Sequence, residues 1–154
     1  MTLDKDLREF VALLLSRGVE FIVVGGHAVS FHGYPRLTDD LDLLVRPSQD
    51  NAQRVVTALA DFGFASTGLT ASDFQANDRV IQLGRAPNRI DLITRLYGVD
   101  VADVWARRVE ASLDGLDVWM ISRDDLIRNK RATGRTQDLA DAEHLDALPQ
   151  GTDR

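Results

Sequence analysis

The chain has 154 residues, enough for one domain that buries its own core, and it has no cysteine, which excludes disulfides and cysteine-ligated zinc or iron–sulfur centres. Its 18 Lys and Arg against 24 Asp and Glu leave a net charge of -6, so no global field draws nucleic acid; lysine occurs only at Lys5 and Lys130. The charged start MTLDKDLREF and apolar runs far short of the ~18 residues a membrane span needs predict a cytoplasmic protein with no membrane partner.

In chain order, Leu7, Phe10, Val11, Leu14 and Leu15 form one stripe at helical spacing, predicting a helix over 4–17 that stops at Gly18. Residues 21–24 read as a buried strand ending at Gly25-Gly26, followed by a short helix over 27–32 that ends at Gly33-Tyr34-Pro35. A second strand covers 41–45. Pro47 and Ser48 then introduce a helix to about Phe62, with Val55, Val56, Leu59 and Phe62 as its apolar face. Residues 63–78 show no clear element.

Strands at 79–83 and 89–93 are joined by a turn at 86–88, and a short helix over 100–108 carries Trp105. A hairpin over 109–121 turns at Asp114-Gly115. Ser122 is a natural N-cap, with Asp125 three residues on, for a helix to about Thr133 that Gly134 breaks. A last helix covers 136–147, and 149–154 reads as a disordered tail. Strands come singly between helices and later in pairs, which predicts an α/β (α+β) domain with a mixed sheet flanked by helices. The expected domain is 1–148, with a core of about 20–121 and C-terminal helices over 122–147.

The chemistry concentrates in the acids. On the strand at 41–45, alternation sends Leu41, Leu43 and Val45 to one side and Asp40, Asp42 and Leu44 to the other. Two carboxylates on one face lie about 6–7 Å apart along a strand, a gap that divalent ions bridge with help from phosphate oxygens. Asp39 falls on the opposite side and reads as a turn residue. A lone D-x-D is more often a solvated strand end. Asp91 strengthens the case, because Ile90 and Leu92 face one way and Asp91 the other, and an acid within an apolar strand is costly to bury without a partner. That partner is a metal, or else Arg36 or Arg89 in a salt bridge. Three converging acids support two metals, one activating the attacking hydroxyl and one neutralising pyrophosphate.

Gly25-Gly26, where a strand feeds a helix, favours an anion, although such a turn also needs glycine for positive φ alone. Neither a P-loop nor a dinucleotide fingerprint follows it. Lys130, near Arg131, Arg135, Asp138 and Asp141, is the better cation candidate, against the plainer reading of a solvated helix end. Arg36 reaches a phosphate or base, or pairs with Asp39. His27, His32 and His144 have no metal-ligand spacing; the first two read as packing or capping residues.

Taken together, the glycine pair, Asp40-Leu41-Asp42 and the later Asp91 resemble the nucleotidyltransferase-fold superfamily. Two further patterns are similar to small prokaryotic AbiEii-like nucleotidyltransferases, a group that includes toxins of toxin–antitoxin pairs. They are R-x-T-x-D-x-D at Arg36, Thr38, Asp40 and Asp42, and D-L-I-x-x-K-x-A-x-x-R-x-x-D-x-x-D with Lys130, Arg135, Asp138 and Asp141. The resemblance spans about 20–147. It implies two Mg²⁺ ions, with Mn²⁺ as an alternative, held by Asp40, Asp42 and Asp91 as the catalytic acids. It also implies an NTP such as ATP seated by Gly25, Gly26, Arg36, Thr38, Lys130 and Asp138, and pyrophosphate release. RNA or tRNA, a protein and a small molecule are the acceptors left open, with an antitoxin as a further partner. Toxin relatives are often longer and bear basic surfaces for tRNA, whereas this chain is short and acidic. The alternative function is a non-catalytic module of the same fold that binds a nucleotide or a partner.

Overall fold

The computed structural model describes residues 3–35, 37–38, 40–64, 67–84 and 88–149. Arg36, Asp39, most of the turn expected at 86–88 and the tail beyond 149 lie outside them. Helix α1 (Lys5–Ser16) is capped by Asp4, whose carboxylate accepts from the Asp6 amide at 3.0 Å, and it buries Leu7, Phe10, Val11 and Leu14. Strand β1 (Phe21–Val24) is buried along its whole length, and helix α2 (Gly25–Phe31) begins at the glycine pair itself, two residues before the expected start. Strand β2 (Asp40–Val45) follows.

Helix α3 (Gln49–Leu59) starts at Ser48 and ends earlier than its apolar stripe predicts; the chain continues as a wider π turn over Ala60–Phe64, where Gly63 adopts φ +105°. The stretch without a predicted element contains a short helix, α4 (Ala71–Gln75). It starts at Thr70, whose amide donates to the Asp73 carboxylate at 2.8 Å, and it buries Phe74. Strands β3 (Val80–Leu83) and β4 (Arg89–Ile93) follow, then a shorter helix than expected, α5 (Val101–Ala106). The hairpin of β5 (Val109–Leu113) and β6 (Leu116–Met120) turns at Asp114 and Gly115, both at positive φ, as a two-residue hairpin loop requires. Helices α6 (Arg123–Thr133) and α7 (Thr136–Ala147) close the described chain. Ser122 caps α6 by accepting from the Asp125 amide at 3.2 Å, but the fully buried Asp125 carboxylate turns to Arg107 and Arg128 rather than back to the cap.

The six strands form one mixed sheet in the order β3-β4-β2-β1-β6-β5. β2 runs antiparallel to β1 on one side and parallel to β4 on the other. Leu44, expected beside the acids on the open face, is 1% exposed, so both faces of the sheet are covered beyond the acids. Phe10, Leu14, Ile22, Leu43, Leu92 and Met120 are among the fully buried side chains, each worth about 1.5–3 kcal/mol when removed from water. No helix among the described residues is long and apolar enough to cross a membrane.

One polar residue stitches this core. Asn51 is fully buried; its Oδ1 accepts from the Glu20 amide at 2.6 Å, while Nδ2 donates to the carbonyls of Glu20 and Arg46, both at 2.8 Å. Those two residues flank the paired strands β1 and β2. Asn51→Ala takes the side-chain partner from the Glu20 amide and the Arg46 carbonyl, leaves the Glu20 carbonyl with the Arg46 amide at 3.2 Å, and should cost roughly 2–4 kcal/mol. Urea unfolding measures it, and an unchanged midpoint would show that the stitch contributes little.

Candidate active site

The sheet register assembles the acids. β2 lies between β1 and β4, so Asp42 sits opposite Val24 on one side and Asp91 on the other, while Asp40 sits opposite Arg89. Val24 is the last residue before the glycine pair. Three features far apart in sequence therefore meet at one level of the sheet.

Both glycines are demanded by close approach. Gly25 has φ +70°, and a Cβ there would fall on the Asp42 carboxylate, with Cγ only 2.9 Å away. A Cβ on Gly26 would come within 2.7 Å of the Thr38 hydroxyl, which itself donates to the Asp40 carbonyl at 3.1 Å. His27 is buried, and its ring bonds to the backbone of Asp40; burial outweighs that bond and holds its pKa below the ordinary value. His32 Nε2 lies 2.7 Å from the Ile121 carbonyl. The two histidines do pack, as expected, but His27 also braces the strand that carries the acids.

Asp42 Oδ1 and Asp91 Oδ1 are buried without a hydrogen-bond donor. Burial pushes the Asp42 carboxyl up to about 7, the negative charges of Asp91 and Asp40 add to the rise, and Lys130 opposes it. This raised value has a consequence for stability. Between the unfolded value near 4 and the folded value near 7 the native state holds the extra proton, so Asp42's contribution is present below pH 4 and lost as pH rises through 7. In metal-free buffer, Asp42→Asn should therefore be more stable than the parent at pH 8, by on the order of 2 kcal/mol, with the gap closing toward pH 5. Thermal melts in EDTA at the two pH values check this; a gap independent of pH would contradict it.

Arg89 lies among the acids. Its Nη2 donates to Asp40 Oδ2 at 2.6 Å and to Asp91 Oδ2 at 3.4 Å. Nε lies 3.2 Å from Asp91 Oδ1, close enough for an ion pair but not aligned as a hydrogen bond, so the charge contact is the meaningful one. Sequence reasoning weighed Arg89 only as a salt-bridge partner of Asp91. The alternation that places Arg89 on the face of Asp91 was the available signal for more.

Lys130 and Asp138 meet at the α6–α7 junction. Lys130 is 8% exposed, which replaces the solvated helix end with a buried cation. Its Nζ contacts Asp138 at 3.0 Å and Asp141 at 3.3 Å. Burial pushes the Asp138 carboxyl up, but hydrogen bonds from Thr133 and Lys130 and the charges of Lys130 and Arg135 prevail and hold it below its usual value. The structure thus gathers Gly25, Gly26, Thr38, Asp40, Asp42 and Asp91, with Lys130 near enough for its charge to act on Asp42.

Residues 1–148 match the family described as nucleotidyltransferase of unknown function (DUF6036). The chain belongs to this nucleotidyltransferase family. Solved structures agree on the fold. The lincosamide antibiotic adenylyltransferase LnuA, lincomycin-bound, superposes with a TM-score of 0.58 at 14% identity, over 96% of this chain and 99% of that one. An antigenic nucleotidyltransferase-like protein from Paracoccidioides brasiliensis gives 0.53 at 18% identity, over 94% of this chain and 77% of that one. ANT(2")-Ia in complex with adenylyl-2"-tobramycin gives 0.53 at 15% identity, over 91% and 90%. Among curated proteins, none matches the chain.

Nucleotidyltransferases of this fold generally use divalent metal. The donor chemistry here suits a hard cation, because the acids offer only carboxylate oxygens and two of those are buried without a donor. Among the described residues no group of three or more Asp, Glu or His side chains stands ready to hold an ion, and Asp40 is engaged by Arg89. Asp42 suits the metal as it stands; Asp40 and Asp91 suit it once Arg89 lets go. A cleft of about 880 Å³ opens elsewhere, at the C-terminal ends of β2 and β4, lined by Arg46, Ser48, Asn77, Thr94 and Arg95 among others. Arg46 is committed there to Glu20 at 3.2 Å and to the face of Trp105, and none of the three acids lines that cleft.

Proposed function

We propose that the chain transfers a nucleoside monophosphate from an NTP to a hydroxyl group of a small molecule. The observation that carries the reading is Asp42 and Asp91 in register, each with a buried oxygen lacking a hydrogen-bond donor, beside a glycine pair that admits nothing larger. The acceptor oxygen forms a bond to the α-phosphorus, the bond from that phosphorus to the bridging oxygen of the β-phosphate breaks, and pyrophosphate leaves with the electron pair. Asp91 takes the acceptor proton. Asp40, Asp42 and Asp91 would hold Mg²⁺, which would neutralise charge on the triphosphate and lower the pKa of the acceptor hydroxyl. Gly25 and Gly26 seat phosphates against backbone N–H groups, with Thr38 alongside. Asp138 orients Lys130, whose charge faces the triphosphate.

Two observations favour a small acceptor. The net charge of -6 offers no field for a polynucleotide, and the lincomycin-bound and adenylyl-tobramycin-bound structures overlay nearly the whole chain. Arg89 across Asp40 and Asp91 favours a second reading, a non-catalytic module whose acids serve as a salt bridge.

The test is incubation with Mg²⁺ and each α-labelled NTP against three acceptor sets: polyhydroxylated small molecules, total RNA and a protein extract. Label on a small molecule is expected. Label on RNA alone would move the reading to the AbiEii-like toxin type, with an antitoxin as partner. Nucleotide binding without pyrophosphate release would favour the module.

A further inference from the structure

We propose that Arg89 is a resident counter-cation that competes with divalent metal for Asp40 and Asp91, so that metal binds well only together with the nucleotide. This rests on the metal-dependent reading above. One guanidinium spans acids on two strands, at 2.6 Å from Asp40 Oδ2, 3.4 Å from Asp91 Oδ2 and 3.2 Å from Asp91 Oδ1. The register accounts for it: Arg89 pairs with Asp40 across β4 and β2, and Asp91 lies two residues along the same face. Asp42 receives none of these contacts, and its Oδ1 stays without a donor. The site is therefore divided into two acids held by the guanidinium and one outside its contacts, opposed only by the charge of Lys130.

Arginine does not deprotonate, so it yields the acids only by moving. It has room to do so, with a side chain 34% exposed at the start of a strand. A metal arriving alone must displace a charge-assisted fork from Asp40 and Asp91. A metal arriving with a triphosphate supplies the guanidinium with phosphate oxygens that suit its bidentate geometry. Arg89 then links metal affinity to nucleotide occupancy and keeps the acids from trapping free metal.

The experiment is Mn²⁺ titration followed by the EPR signal of the free ion, at pH 8, on the full chain and its Arg89→Met, Arg89→Lys and Asp42→Asn variants. It is run with and without a non-hydrolysable NTP analogue, and thermal melts establish folding. Without nucleotide, Arg89→Met should bind Mn²⁺ roughly tenfold more tightly than the parent, the scale of losing charged hydrogen bonds that oppose binding. Arg89→Lys, which cannot fork, should gain less in the same direction, and the analogue should narrow the gap. Asp42→Asn should lose the metal. Equal or weaker Mn²⁺ binding by folded Arg89→Met overturns the proposal while leaving the metal site intact. Should Arg89→Met fail to fold, Arg89→Lys decides, with tighter binding in support and equal binding against. Absence of Mn²⁺ uptake by every protein, with or without the analogue, overturns the metal-dependent reading and this proposal with it.

Discussion

Asp42→Asn should reduce nucleotidyl transfer by roughly a thousandfold or more, because it removes the charge that would hold metal where the triphosphate reacts. The substitution keeps size and shape, so the sheet should persist. It should even gain stability above pH 7, since the parent carboxyl is pushed up to about 7 by burial and by its acidic neighbours. A structural salt-bridge acid would behave differently: its loss would unfold the protein and leave little to assay. Turnover and thermal melting on the same sample separate the cases. Full turnover would remove Asp42 from the site, and an unfolded variant would make its role structural.

The second large effect is expected at Gly25. Alanine there meets two obstacles at once, a backbone at φ +70° and the Asp42 carboxylate already in the space its Cβ needs. Left-handed backbone costs a non-glycine residue about 1–2 kcal/mol, and displacing Asp42 should lower turnover by about a hundredfold, as small misplacements of a reacting group do. Gly26→Ala is the informative comparison. Its Cβ presses on Thr38, and its backbone carries no positive φ. Gly25→Ala should therefore be the more damaging in both melting temperature and turnover. The reverse order would mean that the glycine pair serves the turn and not the carboxylate.

How much of this was readable in advance follows from how local each feature is. Alternation along one strand separated Asp40 and Asp42 from Asp39, and the acid in 89–93 was visible against its apolar neighbours. Gly25 announced a turn, but its contact with Asp42 depends on β1 and β2 being paired in one particular register. Arg89 shows the limit most clearly. Its place beside Asp91 is local, while its bond to Asp40 exists only because β2 and β4 pair in parallel across about fifty residues. Lys130 stood out in sequence as the better cation candidate, but its burial against Asp138 and Asp141 exists only because α7 folds back onto α6. Helix α4 carried a legible start at Thr70 and Asp73, but five residues are too few for an apolar stripe. The early end of α3 had its cue in Gly63, the first residue of the region left without an element.

The most direct test of the account follows the two ends of the triphosphate. ATP and the other NTPs, labelled in turn at the α- and γ-phosphate, are incubated with the protein, Mg²⁺ and hydroxylated acceptors, and label on the acceptor is compared with pyrophosphate released. The account predicts α-label on the acceptor, no γ-label on it and one pyrophosphate per transfer, with both α-label and pyrophosphate release lost with EDTA or Asp42→Asn. Transfer of γ-label, or α-transfer that survives Asp42→Asn, would contradict it.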